Sequence, residues 1–175
     1  MNNLRGALVL ILLTGFASSC ATDAGNSGGG GTVEVNYQSP DQFTDMSRSY
    51  SALRGADEGY LSELREYIQR TGSHRLPAGF ALSLTITDVD MAGQFEPERG
   101  PQATDVRIVK AIYPPRIDLR FRLTDPSGAV RAQGERHLTN QSFQWTATPV
   151  IRDDPLRYEK ALINDFLREI ASLAK

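Results

Sequence analysis

The sequence predicts an α+β fold: a two-layer sandwich in which a mostly antiparallel sheet of four to five strands carries two helices on one face. Three observations predict it. Four segments alternate apolar and polar residues with period two, as strands half buried against a core do. Two other segments repeat apolar residues at helical spacing. The order along the chain is strand, helix, strand, strand, strand, helix, and each strand has one apolar side. Helices are therefore needed on one sheet face alone.

The first strand sets Val33, Val35 and Tyr37 against Thr32, Glu34 and Asn36. The first helix runs from about Asp57 to Arg70. Leu61, Leu64 and Ile68 share a face there, Tyr60 and Tyr67 lie beside them, and Gly72 is the expected stop. The second strand alternates Phe80, Leu82, Leu84 and Ile86 with Ala81, Ser83, Thr85 and Thr87. A further extended run, Asp105 to Ile112, precedes Tyr113-Pro114-Pro115, whose prolines lack N–H groups and should interrupt a ladder. The third strand sets Ile117, Leu119, Phe121 and Leu123 against Asp118, Arg120 and Arg122, and the fourth sets Val130, Ala132 and Gly134 against Arg131, Gln133 and Glu135. Asp125-Pro126-Ser127-Gly128 joins these two as a hairpin turn. In the second helix Asp154 is the expected cap and Pro155 the first helical residue, followed by a stripe of Leu162, Ile163, Phe166, Ile170 and Leu173.

Ahead of the domain stands a different kind of segment. Arg5 precedes a run from Gly6 to Phe16 that is apolar apart from Thr14. It is too short to span ~30 Å of hydrocarbon, which takes ~20 helical residues, and it fits the apolar region of a secretory signal. Ala17, Ser18 and Ser19 then lead to Cys20, the single cysteine of the chain. This resembles the bacterial lipobox, with Ala17 where Leu is commonest. The resemblance implies cleavage before Cys20, a thioether-linked diacylglycerol and an amide-linked acyl chain. A plainer reading is a secreted protein cut near Ala17 or Ala21. By analogy with Gram-negative sorting, Ala21 in place of Asp favours the outer membrane over the inner. Residues 21–31 are small and Gly-rich, a flexible linker. The expected organisation is therefore a signal peptide at 1–19, a lipidated Cys20 with its linker to 31, and a single α/β domain at 32–175.

The formal net charge is −2, and removal of Arg5 would make it more negative by one. That near-balance argues against nucleic-acid binding by phosphate neutralisation. A lone cysteine excludes an internal disulfide. There is no Gly-x-Ser-x-Gly elbow, and the Gly28–Gly31 tract lacks the lysine and helix of a phosphate loop, so no catalytic set and no cofactor are expected.

Four stretches carry a wider likeness: SPDQFTD (39–45), LTITDVDMAG (84–93), DVRIVKAIYPPRIDLRFRLTDPSG (105–128) and DDPLRYEKALINDFLREI (153–170). Together they resemble the bacterial family named domain of unknown function 3016, over nearly all of residues 32–172. The resemblance implies secreted or envelope proteins of Gram-negative bacteria with no assigned activity. The element order is also similar to that of several small envelope-lipoprotein domains, including the lipopolysaccharide-assembly outer-membrane lipoprotein, which speaks to fold alone.

Several residues invite a functional reading. Asp88 and Asp90, with Glu96, Glu98 and Asp105 following, could hold Ca²⁺, but the pair lacks the spaced ligands and glycine of a calcium loop. The favoured reading is that these aspartates end a strand by bonding loop N–H groups. The two histidines, His74 and His137, show no metal-ligand spacing. The polar sheet face should display Arg116, Asp118, Arg120, Arg122, Arg131, Gln133, Glu135 and His137. Arg120, Arg122 and Arg131 make it the preferred partner surface, against a solvated face laced with cross-strand ion pairs. Phe143 and Trp145 are expected to pack over the sheet edge, with Trp145 as a binding anchor in the sharper reading. The function expected is a non-enzymatic envelope lipoprotein that binds or assembles with an envelope protein. Alternatives are a small-ligand or divalent-cation binder using the acidic 88–105 connection, and a hydrolase with an unrecognised site.

Overall fold

The computed structural model describes residues 30–50, 55–146 and 153–175. The signal segment, Cys20 and most of the linker lie outside the described residues. The elements are β1 (Thr32–Tyr37), α1 (Glu58–Arg75), β2 (Ala81–Asp90), β3 (Gln94–Phe95), β4 (Arg107–Ile108), β5 (Arg116–Thr124), β6 (Val130–Thr139), α2 (Phe143–Thr146) and α3 (Arg157–Leu173).

The expected α+β class stands. The main sheet has the order β1-β2-β5-β6. β1 runs parallel to β2 because α1 carries the chain back between them, and β2, β5 and β6 pair antiparallel. The apolar side of each strand faces the helices. Val33, Val35, Leu82, Leu84, Ile86, Val89, Ile117, Leu119, Phe121 and Leu123 form one cluster with Leu61, Leu64 and Ile68 of α1 and Leu162, Ile163, Phe166, Leu167 and Ile170 of α3. Phe121 meets Phe166 edge-to-face at 5.6 Å. Each such aliphatic or aromatic side chain contributes about 1.5–3 kcal/mol on burial.

Four details differ from the sequence reading. First, α1 runs through Gly72 to Arg75. Gly72 is buried, and a Cβ there would meet Val33 Cγ2 at 2.8 Å, so the glycine marks where α1 lies closest to β1. The helix ends where Leu76 turns extended ahead of Pro77. Second, the run Asp105–Ile112 does not join the main sheet. β4 pairs with β3 in a separate two-residue ladder, and Pro114-Pro115 divide it from β5. Third, α3 begins at Arg157, two residues late. Asp154 still serves its start: Oδ1 accepts the Leu156 N–H at 2.8 Å and its carbonyl accepts the Arg157 N–H at 3.3 Å. Fourth, Leu173 is 41% exposed and leaves the apolar stripe, while Ala174 is buried in its place.

The two ends of the sheet differ. At one end Gly31 donates its N–H to Leu76 O at 2.9 Å, and Gly79 lies against Pro126 of the β5–β6 turn, so the chain enters the domain beside that hairpin. At the other end lie the long connections after β1, after β2 and after β6. Among the described residues no helix is long and apolar enough to cross a membrane.

Candidate functional site

Alternation places the expected polar residues on the open sheet face. Arg116, Arg120, Arg122, Arg131, Gln133, Glu135 and His137 are arrayed there around a half-buried Asp118. The ladder sets Arg120 opposite Glu135, Arg122 opposite Gln133 and Asp118 opposite His137. The last pair is bonded at 2.9 Å, His137 Nδ1 to Asp118 Oδ1. Arg120, although it faces Glu135, donates instead to Gln38 Oε1. Among the described residues Arg122 and Arg131 enter no hydrogen bond or salt bridge through their side chains. Arg131 is also the extra residue where the β5–β6 register shifts beside Leu123.

Asp88 and Asp90 sit at the far end of this face. Asp88 accepts from Thr44 N–H at 2.6 Å and from Thr44 Oγ1 at 2.7 Å, and so ties the loop after β1 to β2. Asp90 pairs with Arg116. Its burial holds the carboxyl above its ordinary pKa, with Arg116 pulling the other way. Among the described residues no three His, Cys, Asp or Glu side chains gather as a metal set. Glu96 lies elsewhere, paired with Lys110 and Arg99, whose hydrogen bonds hold it below the usual carboxylate range. Asp105 accepts the Tyr50 N–H at 3.0 Å. His74 stands in the last turn of α1, away from these groups.

The expected packing of Phe143 and Trp145 divides. Phe143 is buried, edge-to-face with Tyr158 at 4.8 Å. Trp145 is 88% exposed, because a one-turn α2 can turn only one of the two rings inward. Ile112, in the loop that accepts a bond from Gln144 at Val109 O, is 72% exposed. Iodide is expected to quench the Trp145 fluorescence efficiently in the native protein, since this is the sole tryptophan. A shielded, blue-shifted emission would contradict the exposed geometry.

The same end of the sheet holds a polar centre that sequence reasoning missed. Arg107 grips Asp45 with both arms, Nη1 to Oδ2 at 2.9 Å and Nη2 to Oδ1 at 2.8 Å. It also donates to Gly93 O and Ser47 O and lies 4.4 Å over the Phe95 ring. Glu159, on the first turn of α3, is fully buried. Its Oε1 accepts the Ala92 N–H at 2.7 Å, and its Oε2 has no hydrogen-bond partner among the described residues. Burial pushes its pKa up to about 7, with the Ala92 N–H, Arg107 and Arg157 opposing. Next to it, Lys160 is buried between Glu63 at 2.5 Å and Asp154 at 2.7 Å. Burial works against that charge, but the two carboxylates outweigh it and hold the Lys160 pKa above its ordinary value.

Ser47, Arg48, Tyr60, Ala92, Arg107, Arg157 and Tyr158 help to line a cavity of about 280 Å³ beside this centre. The segments that meet here are the ends of SPDQFTD and LTITDVDMAG and the starts of DVRIVK and RYEK, the stretches that carry the family likeness. A family described as Protein of unknown function (DUF3016) matches residues 31–169. The chain belongs to this family. No curated protein matches it. In this DUF3016 chain the family match thus runs from just before β1 to Glu169 within α3, and the most polar buried contacts gather at the loop end rather than on the arginine face. One sign of this was readable. Glu159 continues the apolar stripe of α3 one turn toward the N-terminus, and a carboxyl on a buried helix face needs a partner.

Proposed function

We propose that this chain is a non-enzymatic lipoprotein of the Gram-negative envelope, anchored in the outer membrane through lipid on Cys20, whose domain binds an envelope protein in the periplasm. The observation that carries the reading is the sole cysteine placed after an apolar run and small residues and before a Gly-rich linker. Several acyl chains on one residue anchor firmly, where one chain binds marginally. The point of chain entry supports the arrangement. The Gly-rich composition of residues 21–31 is that of a coil whose expected average reach is roughly 18 Å. The segment joins the domain at the hairpin end, so the loop end faces away from the anchor. Both helices cover one sheet face, which leaves the face bearing Arg120, Arg122 and Arg131 open for contact with a partner's carboxylates.

The test joins fractionation with site-directed cross-linking. The wild type should sediment with outer membranes, carry an acylated Cys20 by mass spectrometry, and cross-link one envelope protein from a photoreactive group at Gln133. Cys20→Ala should appear in the soluble fraction. Arg120→Glu/Arg122→Glu should stay in the membrane and lose the cross-link. An unmodified Cys20 in the wild type would refute the anchor, and a cross-link that survives the charge reversal would refute the face.

A further inference from the structure

The cavity at the loop end is lined by an unusual excess of donors. Among the described residues three guanidiniums border it, Arg48, Arg107 and Arg157, together with the phenols Tyr60 and Tyr158, and Asp105 is the one lining carboxylate. Asp57 and Asp45, which hold Arg48 and Arg107, do not line it. The three guanidiniums differ in what they have left to give. Arg107 spends both Nη groups on Asp45, Gly93 O and Ser47 O, so it supplies charge and rigidity. Arg48 uses Nε on Asp57 at 2.7 Å and stacks 4.3 Å over Tyr60, and among the described residues its two Nη groups make no hydrogen bond. Arg157 donates to Asp154 O at 3.3 Å and to the Tyr158 hydroxyl at 3.2 Å, so it too supplies charge, and it leaves the Tyr158 proton for another acceptor.

Tyr60 adds a donor of its own. Its ring lies under the Arg48 guanidinium on the cavity wall, and among the described residues its hydroxyl makes no hydrogen bond. The wall of this cavity therefore holds the Arg48 and Tyr60 donors without acceptors, on side chains already held by stacking and an ion pair. Planar guanidinium forks fixed in this way suit phosphate and carboxylate oxygens.

We propose that this cavity is a binding site for the oxyanion group, phosphate or carboxylate, of a small ligand, held by the Arg48 Nη groups and the Tyr60 hydroxyl in the field of Arg107 and Arg157. The volume of about 280 Å³ lies at the lower end for ligand sites, so the oxyanion comes with a small organic group at most. The site stands apart from the arginine sheet face and does not depend on the membrane anchor.

The experiment measures thermal unfolding of the protein with inorganic phosphate or succinate, against sodium chloride at equal ionic strength. Phosphate, succinate or both should raise the midpoint above the chloride control, and the anion that does so names the group. In Arg48→Gln the apparent affinity should fall by about tenfold or more, as loss of a charge-assisted bond implies, and in Arg157→Gln it should fall by less, as loss of a nearby charge implies. Tyr60→Phe removes one hydroxyl and keeps the packed ring, so it should fold and bind more weakly. Arg70→Gln, on the exposed side of α1, should bind as the wild type does. If neither anion stabilises beyond chloride, or if Arg48→Gln and Tyr60→Phe respond as Arg70→Gln does, the proposal is overturned.

Discussion

Replacing Arg107 by methionine is expected to cost about 3–5 kcal/mol of folding stability, the usual cost of breaking a buried ion pair from one side. The Asp45 side chain is 10% exposed and the Arg107 side chain 15%, so neither is well screened by water. Removing the guanidinium strands the Asp45 carboxylate and leaves Gly93 O and Ser47 O without their donors. The loss is local in origin and wide in effect. Through Asp45 and Gly93 this one side chain joins the loop after β1 to the turn after β2, and through β4 to the small sheet. Urea unfolding of Arg107→Met, Asp45→Asn and the double variant should show strong coupling. The double variant should be more stable than Arg107→Met alone, because the amide that Asp45→Asn introduces keeps an acceptor for the Ser47 hydroxyl and buries no charge. A loss below about 1 kcal/mol for Arg107→Met would show that water reaches the pair freely.

The two-layer scaffold is legible because it rests on local pattern. Val33-Val35, Leu82-Leu84-Ile86 and Ile117-Leu119-Phe121-Leu123 each alternate cleanly, and burial follows the alternation residue by residue. Gly72 misleads because a glycine near a helix end resembles a stop. Yet it continues the Leu61, Leu64, Ile68 stripe, and a glycine on a buried stripe also reads as a site of close approach. The loop end is not legible. Arg107 and Asp45 are 62 positions apart, and Ala92 and Glu159 are 67 apart, so no local spacing announces either contact. The quoted motifs name the segments but not that they meet. Trp145 misleads for a related reason. Phe143 and Trp145 are two residues apart, which would set them on one side of a strand, whereas a single helical turn sends them to different sides.

Glu159→Gln is expected to become steadily more stable relative to the wild type as pH rises from 4.5 to about 7. The folded carboxyl titrates near 7 and the ordinary value is 4.5, so between these the native state holds a proton that the unfolded chain has lost. Stability from this group is therefore fully present below pH 4.5 and lost as pH climbs to 7, after which the difference is constant. The shift corresponds to about 3 kcal/mol over that window. Full burial means that water provides little screening. Other carboxylates act in the opposite sense. Hydrogen bonds from Arg48 to Asp57 and from Ser127 to Asp125 hold both below their ordinary pKa, so they add stability as pH rises, at lower pH. Only the difference between variant and wild type isolates Glu159. Glutamine can keep the bond from Ala92 and cannot ionise, so urea unfolding of the pair at several pH values should give a difference curve with its inflections near 4.5 and 7. A flat difference would mean that Glu159 ionises normally in the fold, and that the unpartnered Oε2 is solvated by water reaching it through the wall of the cavity.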